Sequence, residues 1–249
     1  MRDDREVSPD ERHRRRNRHQ RMIKTLVFAA GASLPLLAGA IAGVLWRPPR
    51  RLVAVALAFA AGALISAVSF ELFQESYSSS GAVRTGLGFA AGATVFVVAD
   101  ALLDRVTAAN PTGLALLAGV TLDGVPENTA LGVSLNAAGS LALLVAVFAS
   151  NFPEALAGAV SMQQQGWPRG RIIALWAGAT VLLGAAVVAG RLVFAGASPG
   201  QLALPLAFAG GAVLASVIDT LAPEAFGEGG PFVALASAAG FFVAFMLSA

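Results

Sequence analysis

The chain has 249 residues, of which 56% are apolar and 13% charged, with no cysteine, a net charge of +2 and a mean hydropathy of +0.71. Soluble domains carry about 25% charged residues, so this composition excludes an ordinary water-soluble globule. The lack of cysteine excludes disulfides, thiolate metal centres and cysteine nucleophiles.

The first element is a basic tail, residues 1–24, with nine Lys/Arg residues and both histidines, His13 and His19. Such a segment cannot bury an apolar face, so it is expected to be a disordered, solvated tail. Its expected contact is anionic lipid headgroups rather than nucleic acid, because it leads into a membrane span. The remainder, residues 25–249, divides into eight apolar stretches: 26–46, 52–73, 86–103, 112–136, 139–163, 171–194, 202–222 and 231–248. Each is about as long as a helix needs to cross a hydrocarbon core. Turn-forming residues mark the breaks, among them Pro48-Pro49, the run Ser78 to Gly81, Asn110-Pro111, Pro168, Pro199-Gly200 and Pro231. The first stretch is too long for a signal-peptide core and is expected to remain as a span. The expectation is an all-α, polytopic, multi-pass protein with eight transmembrane helices.

Orientation stays open. The basic tail favours a cytoplasmic N-terminus. Arg47, Arg50, Arg51, Arg105, Arg169 and Arg171, however, fall in connectors on the opposite side. Lys24 is the sole lysine beside sixteen arginines, a bias of prokaryotic coding that points to a bacterial-type plasma membrane.

The fourth and fifth stretches carry the chemistry. Each holds a Pro-Glu pair inside its apolar run: Pro126-Glu127 and Pro153-Glu154. A carboxylate at mid-membrane depth costs several kcal/mol by most estimates and is by default a functional group. Proline has no amide hydrogen, so each pair frees the carbonyl four residues back, at Leu122 and Ala149. Asp123 and Glu127 are four apart and Asn151 and Glu154 three apart, so each pair shares a helix face. Few residues join the two stretches, which makes them antiparallel neighbours. At about 1.5 Å rise per residue, Glu127 and Glu154 then lie at similar depths. The two acidic faces are expected to meet as one cation site.

The chain also repeats itself. Residues 123–135 and 150–162 share Pro, Glu, Ala, Val and Ser at matching positions. Leu57-Ala-Phe-Ala-Ala-Gly-Ala-Leu64 returns as Leu206-Ala-Phe-Ala-Gly-Gly-Ala-Val213, followed by Glu75 and Glu224. The matched stretches run in opposite directions, the arrangement of inverted repeats in secondary transporters.

These motifs resemble the ZIP (Zrt/Irt-like) family of divalent-metal transporters across essentially all eight stretches. Asp123-Gly-Val-Pro-Glu-Asn128 and Ser150-Asn-Phe-Pro-Glu-Ala155 stand where that family has His-Asn-x-Pro-Glu-Gly-like and His-Glu-x-Pro-Glu-like motifs. The seventh stretch, ending Ala222-Pro223-Glu224, and the second, with Glu71 in a histidine place, look like the family's corresponding helices. The resemblance implies a ZIP-like bundle with inverted repeats and transport of a divalent cation by alternating access. It implies no enzymatic activity and no prosthetic group. The implied metal ligands are Asp123, Glu127, Asn151 and Glu154, with Asn128 and Ser150 as helpers; zinc, manganese, iron or cadmium is the cargo. A homodimer is compatible with it. The departures are also plain: Asp123 and Ser150 replace histidines, Gly124 replaces an asparagine, and no carboxylate occurs in the sixth stretch.

Other readings of the same residues remain. Asp123, Glu127 and Glu154 could form a hydrogen-bonded cluster that clamps two helices, and Asn128 and Asn151 suit either role. A proton-coupled carrier of another solute could use the acids as a relay. An intramembrane metal-dependent enzyme is the least favoured, because no stretch holds a histidine. Glu71, Glu75, Asp100, Asp104, Asp219 and Glu224 read as rim charges at the ends of their stretches.

Overall fold

In the computed structural model, residues 9–46, 48–107, 113–137 and 139–249 are described. Among them every regular element is helical. The helices are α1 (Pro9–Leu45), α2 (Arg50–Ala67), α3 (Gln74–Thr107), α4 (Gly113–Ser134), α5 (Leu141–Gln164), α6 (Arg169–Val193), α7 (Pro199–Ser216), α8 (Ala222–Gly229) and α9 (Val233–Ser248). Two π-helical segments are spliced in, Val68–Phe73 after α2 and Val217–Leu221 after α7, and a 3₁₀ turn, Gly230–Phe232, precedes α9. Helix is the expected answer to this composition. A chain in hydrocarbon must satisfy every backbone group internally.

Among the described residues six helical runs are long and apolar enough to cross a membrane, so the chain reads as a multi-pass membrane protein. One of them, Arg50–Val106, is 57 residues long. At about 1.5 Å per residue it would extend far beyond a single ~30 Å core. Gly81 breaks it, with φ 76° and ψ 173°, a conformation that a residue with a Cβ rarely adopts. The expected loop at Ser78–Gly81 is otherwise helical. Its hydroxyls explain why: Ser78 donates to the Glu75 carbonyl at 2.9 Å, and Ser80 to the Ser76 carbonyl at 3.1 Å. Ser76 itself donates to the Ala203 carbonyl of α7 at 2.7 Å.

The basic segment also differs from a solvated coil where it is described, because α1 begins at Pro9 and continues unbroken into its apolar part. Residues 1–8 lie outside the described residues, as do residues 108–112 of the connector before α4.

The helices pair α1 with α5, α2 with α9, α3 with α7 and α4 with α6, and α1 also packs on α6. Glycine sets the spacing of these pairs. A Cβ on Gly62 would overlap the Ser237 carbonyl oxygen, and one on Gly240 would overlap that of Phe59. The same reciprocal arrangement joins Gly92 to Phe208 and Gly211 to Phe89, and joins Gly132 to Val187 and Gly190 to Thr129. Gly39 and Gly43 lie likewise against the Phe152 and Leu156 carbonyls of α5. Small residues let backbones touch, which is how helices associate where lipid is as apolar as the side chains.

Between these pairs lies an apolar core that includes Leu64, Leu72, Leu131 and Leu143, and a second one around Trp176, Leu36 and Met162. The buried polar residues of α4 and α5 interrupt this interior half-way along each helix: Asp123, Glu127 and Asn128 in one, Ser150 and Asn151 in the other.

Overpacking of this kind costs about 1–3 kcal/mol or more. Gly211→Ala is therefore expected to lower the thermal midpoint of the detergent-solubilised protein by several degrees. Gly178→Ala, where a Cβ meets nothing within 4 Å, should leave it unchanged. Intrinsic fluorescence during heating checks both.

Candidate cation site between α4 and α5

Asp123, Glu127 and Asn128 project from the middle of α4, and Ser150, Asn151 and Glu154 from the middle of α5. Both helices run through their prolines, Pro126 and Pro153. The α4–α5 turn is tight, and Ser140 caps α5 by accepting from the Leu143 amide at 2.9 Å. This places the two polar segments side by side in an antiparallel pair.

One hydrogen bond joins them directly: Ser150 donates to Glu127 Oε2 at 3.4 Å, while also reaching the Val147 carbonyl at 3.1 Å. Asp123 Oδ2 accepts from Thr220 of the second π-helical segment at 3.3 Å. Asn151 Nδ2 donates to the Ala32 carbonyl of α1 at 2.7 Å, and Asn128 Nδ2 donates to the Gly124 carbonyl at 2.8 Å. These amide bonds decide the orientation of both side chains. An NH₂ group on a carbonyl turns the amide oxygen the other way.

Those oxygens have no donor. Asn128 Oδ1, Asn151 Oδ1 and Glu127 Oε1 are all buried without a hydrogen-bond partner. Asn128 and Asn151 are 0% exposed, and Glu127 2%, so solvent does not reach them. A buried acceptor left unpaired costs about 1–3 kcal/mol. Such a group calls for a specific explanation. Unpaired carboxylate and amide oxygens are the ligand type that a hard cation takes.

Among the described residues, no three His, Cys, Asp or Glu side chains gather as a metal-holding group. Asp123 and Glu154 instead line a cavity of about 460 Å³ together with Asp100, Asp104, Thr220 and Glu224. Glu154 is half-buried at its wall, whereas Glu127 is enclosed behind it. Asp100, Asp104 and Glu224, read from the sequence as rim charges, thus border the same space as Asp123 and Glu154.

A second cavity, of about 230 Å³, is lined by Glu71, Glu75, Asn136 and Ser140. Ser140 precedes α5 and Ser161 of the first cavity stands near its end. The two cavities therefore lie at opposite ends of that helix. Only the first includes Asp123 and Glu154 in its lining.

Sequence reasoning missed Thr220 and Ala32. Thr220 is visible in the run Asp219-Thr-Leu-Ala-Pro-Glu224, where a hydroxyl sits one turn before Glu224. Ala32 acts through its backbone carbonyl, and no side-chain pattern could have revealed it.

No protein-family model matches the chain, and no curated protein matches it.

Asn151 ties α5 to α1 while its buried oxygen has no donor. Asn151→Ala removes that bond and leaves the pocket underfilled, for an expected cost of about 1–3 kcal/mol. A lowered thermal midpoint in metal-free detergent solution is the readout.

Proposed function

We propose that the chain is a ZIP-like transporter of a divalent cation, which it carries through an oxygen-lined site between α4 and α5. The observation that carries this reading is the trio of donor-less buried acceptors, Glu127 Oε1, Asn128 Oδ1 and Asn151 Oδ1. A purely structural clamp would pair these oxygens with donors. Here each amide gives an N–H to a backbone carbonyl, and its oxygen is left for a cation.

Asp123, Glu154 and Ser150 complete the proposed ligand set. Asp123 and Glu154 face the acid-lined cavity, where a desolvating ion would first meet charge. Ser150 holds Glu127 Oε2 and leaves Oε1 for the metal. An all-oxygen set suits manganese, iron or cadmium as well as zinc, and a carrier must also release its ion. Tight structural binding is not required of it.

The reading also takes the bundle as eight crossings in two inverted halves. Dividing Arg50–Val106 at Gly81 and adding α4 brings the six apolar runs to eight. The sequence match of 57–64 with 206–213 has an offset of 149 residues, and the two π-helical segments begin at Val68 and Val217, again 149 apart. Glu75 and Glu224, also 149 apart, line the cavities at opposite ends of α5. Alternating access in this scheme opens one acid-lined cavity to the site while the other is sealed from it. The conformation at hand joins the Glu224 cavity to Asp123 and Glu154.

The test is uptake into liposomes loaded with a metal-sensitive dye, with zinc, manganese, iron and cadmium offered in turn. Wild-type protein should carry at least one of them. Glu127→Gln with Glu154→Gln should reduce the rate at least ~100-fold while the protein remains folded. Absence of flux for every ion, from vesicles that contain folded wild-type protein, would reject the reading.

A binding measurement separates carriage from affinity. Added cation should raise the thermal midpoint of the wild type, and Glu127→Gln should abolish that rise without lowering the metal-free midpoint. The variant exchanges a buried acid for a neutral amide of the same shape.

A further inference from the structure

Three arginines meet where the apolar part of α1 begins and where α6 ends. Arg18, Arg21 and Arg191 line a cavity of about 360 Å³, and no carboxylate is among its lining residues. Like charges gathered at the edge of a low-dielectric slab repel one another, and among the described residues no carboxylate lines the cavity to offset them. The rest of the lining is mostly apolar, with Met22, Leu26, Val188 and Leu192.

The order along each helix is informative. On α1 the arginines come first, and Met22 and Leu26 follow one turn deeper into the span. On α6 Val188 lies one turn deeper than Arg191. Charge thus sits at the rim and apolar surface lies inward on both walls. Met22 and Leu26 are more than half exposed, so the inward part of the α1 wall faces the hydrocarbon.

Arg191 is also held in place. It donates to Asn136 Oδ1, in the turn that links α4 to α5. A guanidinium fixed at one nitrogen still presents its remaining N–H groups as a planar fork, the geometry suited to a phosphate.

We propose that this groove binds one anionic phospholipid, its phosphate held by Arg18, Arg21 and Arg191 and its acyl chains lying along Met22, Leu26 and Val188. Basic pockets between membrane helices are recognised sites for such headgroups. The lipid would also bear on the α4–α5 turn through Arg191 and Asn136. The inference stands on the membrane character of the chain and does not depend on what the chain transports.

The experiment uses the purified full chain in neutral detergent. It is titrated with phosphatidylglycerol, with phosphatidylcholine of the same acyl chains and with inorganic phosphate. Bound lipid is counted by native mass spectrometry, and thermal midpoints are recorded in parallel. Phosphatidylglycerol should be retained at one per chain and raise the midpoint by a few degrees, whereas the other two should do neither. Arg18→Gln with Arg21→Gln should weaken phosphatidylglycerol binding at least ~10-fold.

Equal retention of both lipids would overturn the proposal, as would unchanged binding by the double variant. A shift produced by inorganic phosphate alone would also overturn it and make the groove a free-anion site. If the double variant does not fold, the wild-type comparison of the two lipids and the single variant Arg21→Gln decide the question.

Discussion

Helices immersed in hydrocarbon gain nothing from burying one apolar side chain against another, because lipid offers the same contact. What remains is close packing, and in this protein it is concentrated where a glycine on one helix meets a carbonyl on the next. Gly62 with Gly240, Gly92 with Gly211, and Gly132 with Gly190 each form a reciprocal pair, and Gly39 and Gly43 bring α1 onto α5. The α1–α5 and α4–α6 contacts set the positions of the two helices that carry the polar residues. Were these backbones an ångström or two further apart, Asn151 could not reach the Ala32 carbonyl, and the acceptors would lose their fixed direction.

The polar interior follows from the same lack of water. In solvent, an amide or carboxylate oxygen finds a donor wherever it points. Half-way along α4 and α5 it must find one in the protein or go without, and three oxygens go without. Each asparagine gives an N–H to a backbone carbonyl, and its C=O is left without a donor. A serine would pivot and an aspartate would bring a full charge. Asparagine supplies a neutral oxygen whose orientation is set by the helices around it.

The π-helical segments at Val68–Phe73 and Val217–Leu221 belong to this logic as well. A π turn widens the helix and re-aims the side chains beyond it. The second one presents Thr220 to Asp123, and the first precedes Glu75. Both interrupt helices that are otherwise packed through glycine, so the adjustment falls at the acid-bearing ends and spares the close-packed middles.

Composition and apolar run length alone point to membrane-spanning helices, because the other backbone arrangement that satisfies itself in lipid, a closed barrel, is built from shorter strands of alternating polarity. The short α4–α5 connector likewise determines that those helices are antiparallel, and the Pro-Glu pairs mark where acids lie in them. Sequence reasoning erred where local signals were ambiguous. The serines of 78–80 read as a turn, yet their hydroxyls bond back onto the helix and only Gly81 breaks it. Asp123 and Glu154 border one cavity and Glu127 is enclosed, a division that the helix faces did not indicate. Tertiary structure alone decided which oxygens are left without donors, because that depends on residues remote in sequence. Asn151 and Ala32 are 119 positions apart, and Asp123 and Thr220 are 97. The arginine groove, too, exists only because α1 packs on α6. Periodicity reports what one helix prefers; it carries no record of which carbonyl a neighbouring helix will offer.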